Sequence, residues 1–203
     1  MERKLDEKYF INTFDEETRI YNKKDNTLLL IVDEQPRLMN ALENGEEAVL
    51  NTLTLIKAFE KYNMPILATE QYPKGLGSTD ERILELIDKN LIFEKTVFDA
   101  ATPEVLDFIK ENDIKKVIIA GAEAHICVYQ TTRSLLNLGI DVFLPKDALA
   151  SFKESQKEDA LKTLREMGAV RTETETLLFD LARDSKDPNF KFISGLVKEM
   201  RGR

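Results

Sequence analysis

The sequence predicts a doubly wound α/β fold, a three-layer α/β/α sandwich around a mostly parallel sheet of six strands. Three observations carry this. Short apolar runs without polar alternation recur along the chain, as strands covered on both faces require. The segments between them are long enough for a helix and show helical spacing of apolar residues. No internal repeat, low-complexity tract or Pro/Gly/Ser-rich linker divides the 203 residues, so one domain is expected.

The strands are read in order as "TLLLIV" (27–32), "PILAT" (65–69), "LIF" (91–93), "KVIIAG" (116–121), "DVFLP" (141–145) and "AVR" (169–171). Between the first two, Val49, Leu53, Ile56 and Phe59 form an apolar stripe, with Glu60 on the same spacing. Leu161, Leu164 and Met167, with Ala160 beside them, form another. Ile193, Leu196, Val197 and Met200 mark an amphipathic C-terminal helix. Residues 1–26 are polar and irregular and are read as an N-terminal arm on a domain spanning 27–203.

Composition narrows the function. A formal charge of -8 argues against nucleic acid or an anionic membrane as partner. One cysteine and one histidine close the internal-disulfide and zinc-ribbon readings, and the absence of paired cysteines fits a reducing, cytoplasmic setting. The charged start "MERKLDEKYF" does not read as a signal peptide, and "LLLIV" at 28–32 is too short to cross a bilayer.

In open α/β sheets ligands bind beyond the carboxyl ends of the strands. That rule selects Asp33 after the first strand, Thr69-Glu70-Gln71 after the second, Glu94-Lys95 after the third and Gly121 to Cys127 after the fourth. If strand order reverses between the first and fourth, Asp33 and Cys127 face each other. A lone cysteine is commonly a small buried hydrophobe. In the first turn of a helix, however, the helix field is expected to lower its pKa toward the thiolate. His125 lies two residues away, off the same helix face, and is a poor partner for the sulfur. Asp33 as base, Cys127 as nucleophile and Lys95 as cation form a set more specific than any member. Each alone has an ordinary alternative: a turn aspartate, an inert thiol, a surface lysine.

The stretches "LLLIVDEQ", "MPILATEQYPKGLG", "IFEKTVFDA" and "IIAGAEAHICVYQTTRSLLNLGIDVFLPKDALAS" resemble the isochorismatase-like cysteine hydrolases, over about residues 27–182. The likeness is to the isochorismatase domain-containing branch in particular. It implies a catalytic triad of Asp33, Lys95 and Cys127, acting through a thioester on a C–N bond of a small amide. It also implies a cis peptide at Ala122-Glu123 and an oxyanion hole of the Glu123 and Cys127 N–H groups. Family members are usually dimers or larger, so a homo-oligomer is expected. The nicotinamidases of this family carry a zinc site after the second strand, where this chain reads "TEQYPKGLGSTD" without a histidine. No metal and no cofactor are therefore expected. Gln35, Glu70, Gln71, Tyr72 and Phe98 are candidates to line the pocket of a small-molecule substrate, with loop contacts and core packing as the alternative. Two rival readings are a non-catalytic relative that keeps the fold for binding or scaffolding, and a redox-sensing thiol. The intact set of three weakens the first, and the lack of a second cysteine weakens the second.

Overall fold

The computed structural model describes residues 26–203. In chain order the elements are β1 (Thr27–Val32), α1 (Pro36–Met39), α2 (Gly45–Lys61), β2 (Ile66–Gln71), α3 (Pro73–Leu76), α4 (Glu81–Leu84), β3 (Ile92–Lys95), α5 (Pro103–Glu111), β4 (Lys116–Ala122), α6 (Cys127–Asn137), β5 (Asp141–Pro145), β6 (Leu149–Ala150), α7 (Glu154–Glu166), β7 (Val170–Thr172), α8 (Thr174–Ala182) and α9 (Phe190–Arg201). The sheet runs β3-β2-β1-β4-β5-β7, with β6 paired to β4 off that path. Each of its ladders is parallel.

Every residue of β1 is buried, and the pleat explains why its run is apolar throughout. Leu29 and Ile31 enter one core, with Val49, Ile56 and Phe59 of α2, Leu177 and Leu181 of α8, and Ile193, Leu196 and Val197 of α9. Leu28, Leu30 and Val32 enter the other, with Val105 and Ile109 of α5, Val128 and Leu135 of α6, and Leu161 and Leu164 of α7. Successive side chains leave a strand on opposite faces, and helices cover both. Truncating any of these fully buried leucines or isoleucines to alanine is expected to cost about 2–5 kcal/mol.

The sheet therefore matches the expected α/β architecture, with one strand more than the sequence predicts. β6 is two residues long, too short to carry a pattern, and forms by pairing Leu149 and Ala150 with Gly121 and Ala122. Met167 also departs from its expected stripe: it caps the end of α7 and is 45% exposed. Of the N-terminal arm at 1–26, only Asn26 is among the described residues, and its Nδ2 donates to the Asp113 carbonyl at 2.9 Å.

From β1 the chain steps outward through β2 to β3, and from β4 it steps the other way through β5 to β7. Strand order thus reverses between β1 and β4, and the crevice opens beyond their carboxyl ends. The two strands meet in register at Val32 and Gly121. Gly121 has φ 114, and a Cβ there would lie 2.1 Å from the Val32 carbonyl oxygen, so only glycine permits this close approach.

Candidate active site

Asp33 is the first residue past β1. Its φ of 56 lies in the left-handed region, which aspartate tolerates better than most residues. Its N–H donates to the Thr69 carbonyl at 3.1 Å. The carboxylate accepts Thr69 Oγ1 on Oδ1 at 2.8 Å and Lys95 Nζ on Oδ2 at 2.6 Å. The Cys127 thiol lies close enough that it and Asp33 shift each other's proton affinity. Burial pushes the Asp33 carboxyl above the ordinary range, opposed by Lys95, Thr69 and Cys127.

Lys95 ends β3, and the register of the β2–β3 ladder sets it opposite Gln71. Besides Asp33, its Nζ donates to Gln71 Oε1 at 2.7 Å and reaches the carbonyls of Phe98 and Val97 at 3.2 and 3.3 Å. The surface-lysine alternative does not hold, since the side chain is 1% exposed.

Cys127 is the first residue of α6 and is 6% exposed. The expected lowering of its pKa is corrected by the structure. Burial, and next the charge of Asp33, push the thiol up to about 12 against the pull of Lys95 and of the Glu123 N–H. Desolvation disfavours the thiolate more than the helix start favours it. The resting group is a neutral thiol beside Asp33, an arrangement suited to proton transfer during attack.

The Ala122–Glu123 peptide is cis. Ala124 N–H donates to the Ala150 carbonyl, and the Ile126 and Val128 N–H groups donate to the Glu123 carbonyl. Among the described residues, neither the Glu123 nor the Cys127 N–H donates to a backbone carbonyl. Both N–H groups thus remain available to a partner other than a backbone carbonyl of the described residues.

The expected pocket residues divide. Gln35 is fully buried and spends its amide on the protein: Oε1 accepts Gln71 N–H at 2.8 Å, while Nε2 donates to the Gln71 and Gly77 carbonyls at 3.1 and 2.5 Å. Glu70 is also turned inward, its Oε1 accepting the Thr79 N–H and hydroxyl at 2.7 and 2.9 Å. Gln71 bonds Lys95. Tyr72 and Phe98 are 54% and 52% exposed, and Tyr72 lines a cavity of about 300 Å³ with Pro73, Lys74, Glu94, Lys95 and Thr96. His125 faces elsewhere, its Nδ1 3.1 Å from Ser151 Oγ. Among the described residues no three His, Cys, Asp or Glu side chains converge as a metal-binding group.

One contributor escaped the sequence reading and another was selected there without a role. Thr69, within β2, orients Asp33 through its hydroxyl. Thr131 donates to the Cys127 carbonyl at 2.7 Å and accepts the Ala100 N–H at 2.8 Å, tying the loop after Lys95 to α6. Thr69 was legible as a strand end; Thr131 lies inside a helix and gave no signal.

Residues 27–176 match the family model described as the Isochorismatase domain. The chain belongs to the isochorismatase family. Isochorismatase family protein 1A of Dictyostelium discoideum is 40% identical over 186 residues, 89% of this chain and 90% of that one. The secreted isochorismatase effector Isc1 of Phytophthora sojae is 34% identical over 182 residues, 85% of each chain. Among solved structures, the MAR1 ribonuclease of Caenorhabditis elegans superposes with a TM-score of 0.83 at 33% identity, covering 88% of this chain and 92% of that one. In this isochorismatase-family chain, the crevice at the β1–β4 reversal is where Asp33, Lys95 and Cys127 meet.

Proposed function

We propose that the chain is a metal-independent cysteine hydrolase that cleaves a C–N bond of a small amide through a thioester intermediate. The observation that carries this is the buried Lys95–Asp33 ion pair, close enough to the Cys127 thiol for Asp33 to shift its proton affinity. Asp33 takes the thiol proton as Sγ bonds to the acyl carbon, and the oxygen becomes an oxyanion held by the Glu123 and Cys127 N–H groups. Asp33 returns that proton to the leaving nitrogen as the C–N bond breaks, leaving an acyl thioester. Water then gives a proton to Asp33 and attacks the thioester; collapse releases the acid, and the proton returns to sulfur. Lys95 favours the Asp33 carboxylate between proton transfers and keeps it oriented through the cycle. Metal independence rests on the residues: a single histidine cannot supply the family's zinc site.

The Caenorhabditis protein is named a ribonuclease. For this chain the net charge of -8 supports a small-molecule substrate over RNA, because phosphate binding calls for clustered lysine and arginine. A homo-oligomer and an intracellular setting complete the proposal. No helix among the described residues is long and apolar enough to cross a membrane.

The test is a panel of small amides and ureides assayed for ammonia and acid release, with single-stranded RNA as a further arm. Release that disappears in Cys127→Ser supports the proposal. Cleavage of RNA with no turnover of any amide overturns it.

A further inference from the structure

We infer that Gln71 is a positioning residue for Lys95, so that the proton-transfer unit consists of four side chains. The inference rests on the hydrolase reading above and extends it. An ammonium has three N–H donors. Here two of them make short bonds, to Asp33 Oδ2 at 2.6 Å and Gln71 Oε1 at 2.7 Å, while the third is left to the more distant Phe98 and Val97 carbonyls at 3.2 and 3.3 Å. Gln71 thus makes the strongest neutral contact to Lys95.

The amide is held in one orientation. Its Nε2 donates to the Thr96 carbonyl at 3.0 Å, which leaves Oε1 facing the lysine. The backbone is held as well, because Gln35 bonds the Gln71 N–H and carbonyl together at 2.8 and 3.1 Å. The β2–β3 register sets Gln71 beside Lys95. Gln35, fully buried, acts one step further back by fixing the strand end that carries Gln71.

The chemistry explains why a carboxamide suits this position. A hydrocarbon would leave a buried N–H of the ammonium without its acceptor, which is costly. A carboxylate would compete with Asp33 for the lysine and raise the proton affinity of Asp33 by like-charge repulsion. Only a neutral acceptor satisfies the ammonium and leaves its charge to Asp33.

The test reads the rate of Cys127 alkylation by iodoacetamide between pH 5 and 9, which needs no substrate. The proteins are wild type, Gln71→Met, Gln71→Glu, Lys95→Met and the Gln71→Met/Lys95→Met double variant, with folding followed by circular dichroism. Gln71→Met should move the acid limb of the profile up by about one pH unit, a tenfold slower reaction on that limb. Gln71→Glu, of the same shape, should move it in the same direction and carries the test if the methionine variant does not fold. On the Lys95→Met background, Gln71→Met should change nothing further. Profiles for both Gln71 variants that overlay the wild type overturn the inference. So does an undiminished effect of Gln71→Met without the lysine, since Gln71 would then act independently of it. Failure of the hydrolase reading appears elsewhere, as amide turnover that persists in Cys127→Ala.

Discussion

Lys95 Nζ lies 2.6 Å from Asp33 Oδ2, and the two side chains are 1% and 0% exposed. A pair so thoroughly removed from water is a poor stabilising device, because desolving both charges offsets most of their attraction. Apolar residues of similar volume would serve the core as well. Its position at the strand-order reversal, beside the lone thiol whose proton affinity it shifts, suits the pair to the proposed chemistry.

Removing one partner should therefore be costly. Lys95→Met leaves Asp33 buried without its counter-charge, and a loss of about 3–5 kcal/mol is expected in urea unfolding at pH 7. Asp33→Asn combined with Lys95→Met should recover most of that stability while leaving the thiol unreactive. A double variant as unstable as the single one would show that the pair does not account for the loss.

The pH dependence of the thiol follows from its surroundings. With Cys127 pushed up to about 12, no thiolate plateau is expected below pH 7, and alkylation should climb as Asp33 loses its proton and acts as base. Asp33→Asn removes that route, so its reaction should be slower at pH 7 and rise only in the alkaline range. Iodoacetamide rates across pH 5 to 10 measure this. A wild-type rate that is already maximal at pH 6 would contradict it.

Glu34 gives the fold a pH dependence of its own. It is fully buried; Oε1 accepts the Thr52 hydroxyl at 2.5 Å, and Oε2 has no partner among the described residues. Burial pushes this carboxyl up to about 8. The folded chain thus keeps a proton that the unfolded chain gives up above about pH 4.5. The stability it contributes is complete below that value and is lost as pH rises through about 8. Glu34→Gln should flatten the slope of unfolding free energy between pH 5 and 8 and stabilise the protein at pH 8. An unchanged slope would place Glu34 outside this account.

Gly121→Ala should destabilise sharply, since its Cβ would lie 2.1 Å from the Val32 carbonyl oxygen at a φ of 114. A cost of at least about 2–3 kcal/mol is expected, with Asp33 displaced along with the end of β1. Thermal unfolding and alkylation rate should fall together. Wild-type values in both would mean that β1 and β4 tolerate separation at this point.

What the sequence made legible follows from how each feature is encoded. The β1 run is apolar because both of its faces are covered, so the run itself announced a buried parallel strand. Asp33 and Lys95 were singled out because polar residues at the ends of such runs have no packing reason to be there, and Cys127 because it starts the helix that follows one. β6 was missed because two residues carry no period. The direction of the Cys127 shift was misread because burial by distant elements is not written in the neighbouring residues, whereas the helix start is. The inward turn of Gln35 and Glu70 was hidden for a related reason. Their partners, Gly77 and Thr79, lie in a loop whose path is set by the fold and not by local propensity.

The central claim is that Cys127 carries the acyl group, with Asp33 moving the proton. The most direct measurement is intact-protein mass spectrometry after rapid acid quench of the wild type, Cys127→Ala and Asp33→Asn mixed with a turned-over amide. The account predicts a transient mass increase equal to the acyl group on the wild type, mapped to Cys127 and discharged as the acid. Neither variant should form it at a comparable rate, and Cys127→Ala should release no ammonia. Ammonia release by Cys127→Ala at the wild-type rate, with no adduct on any protein, would contradict it.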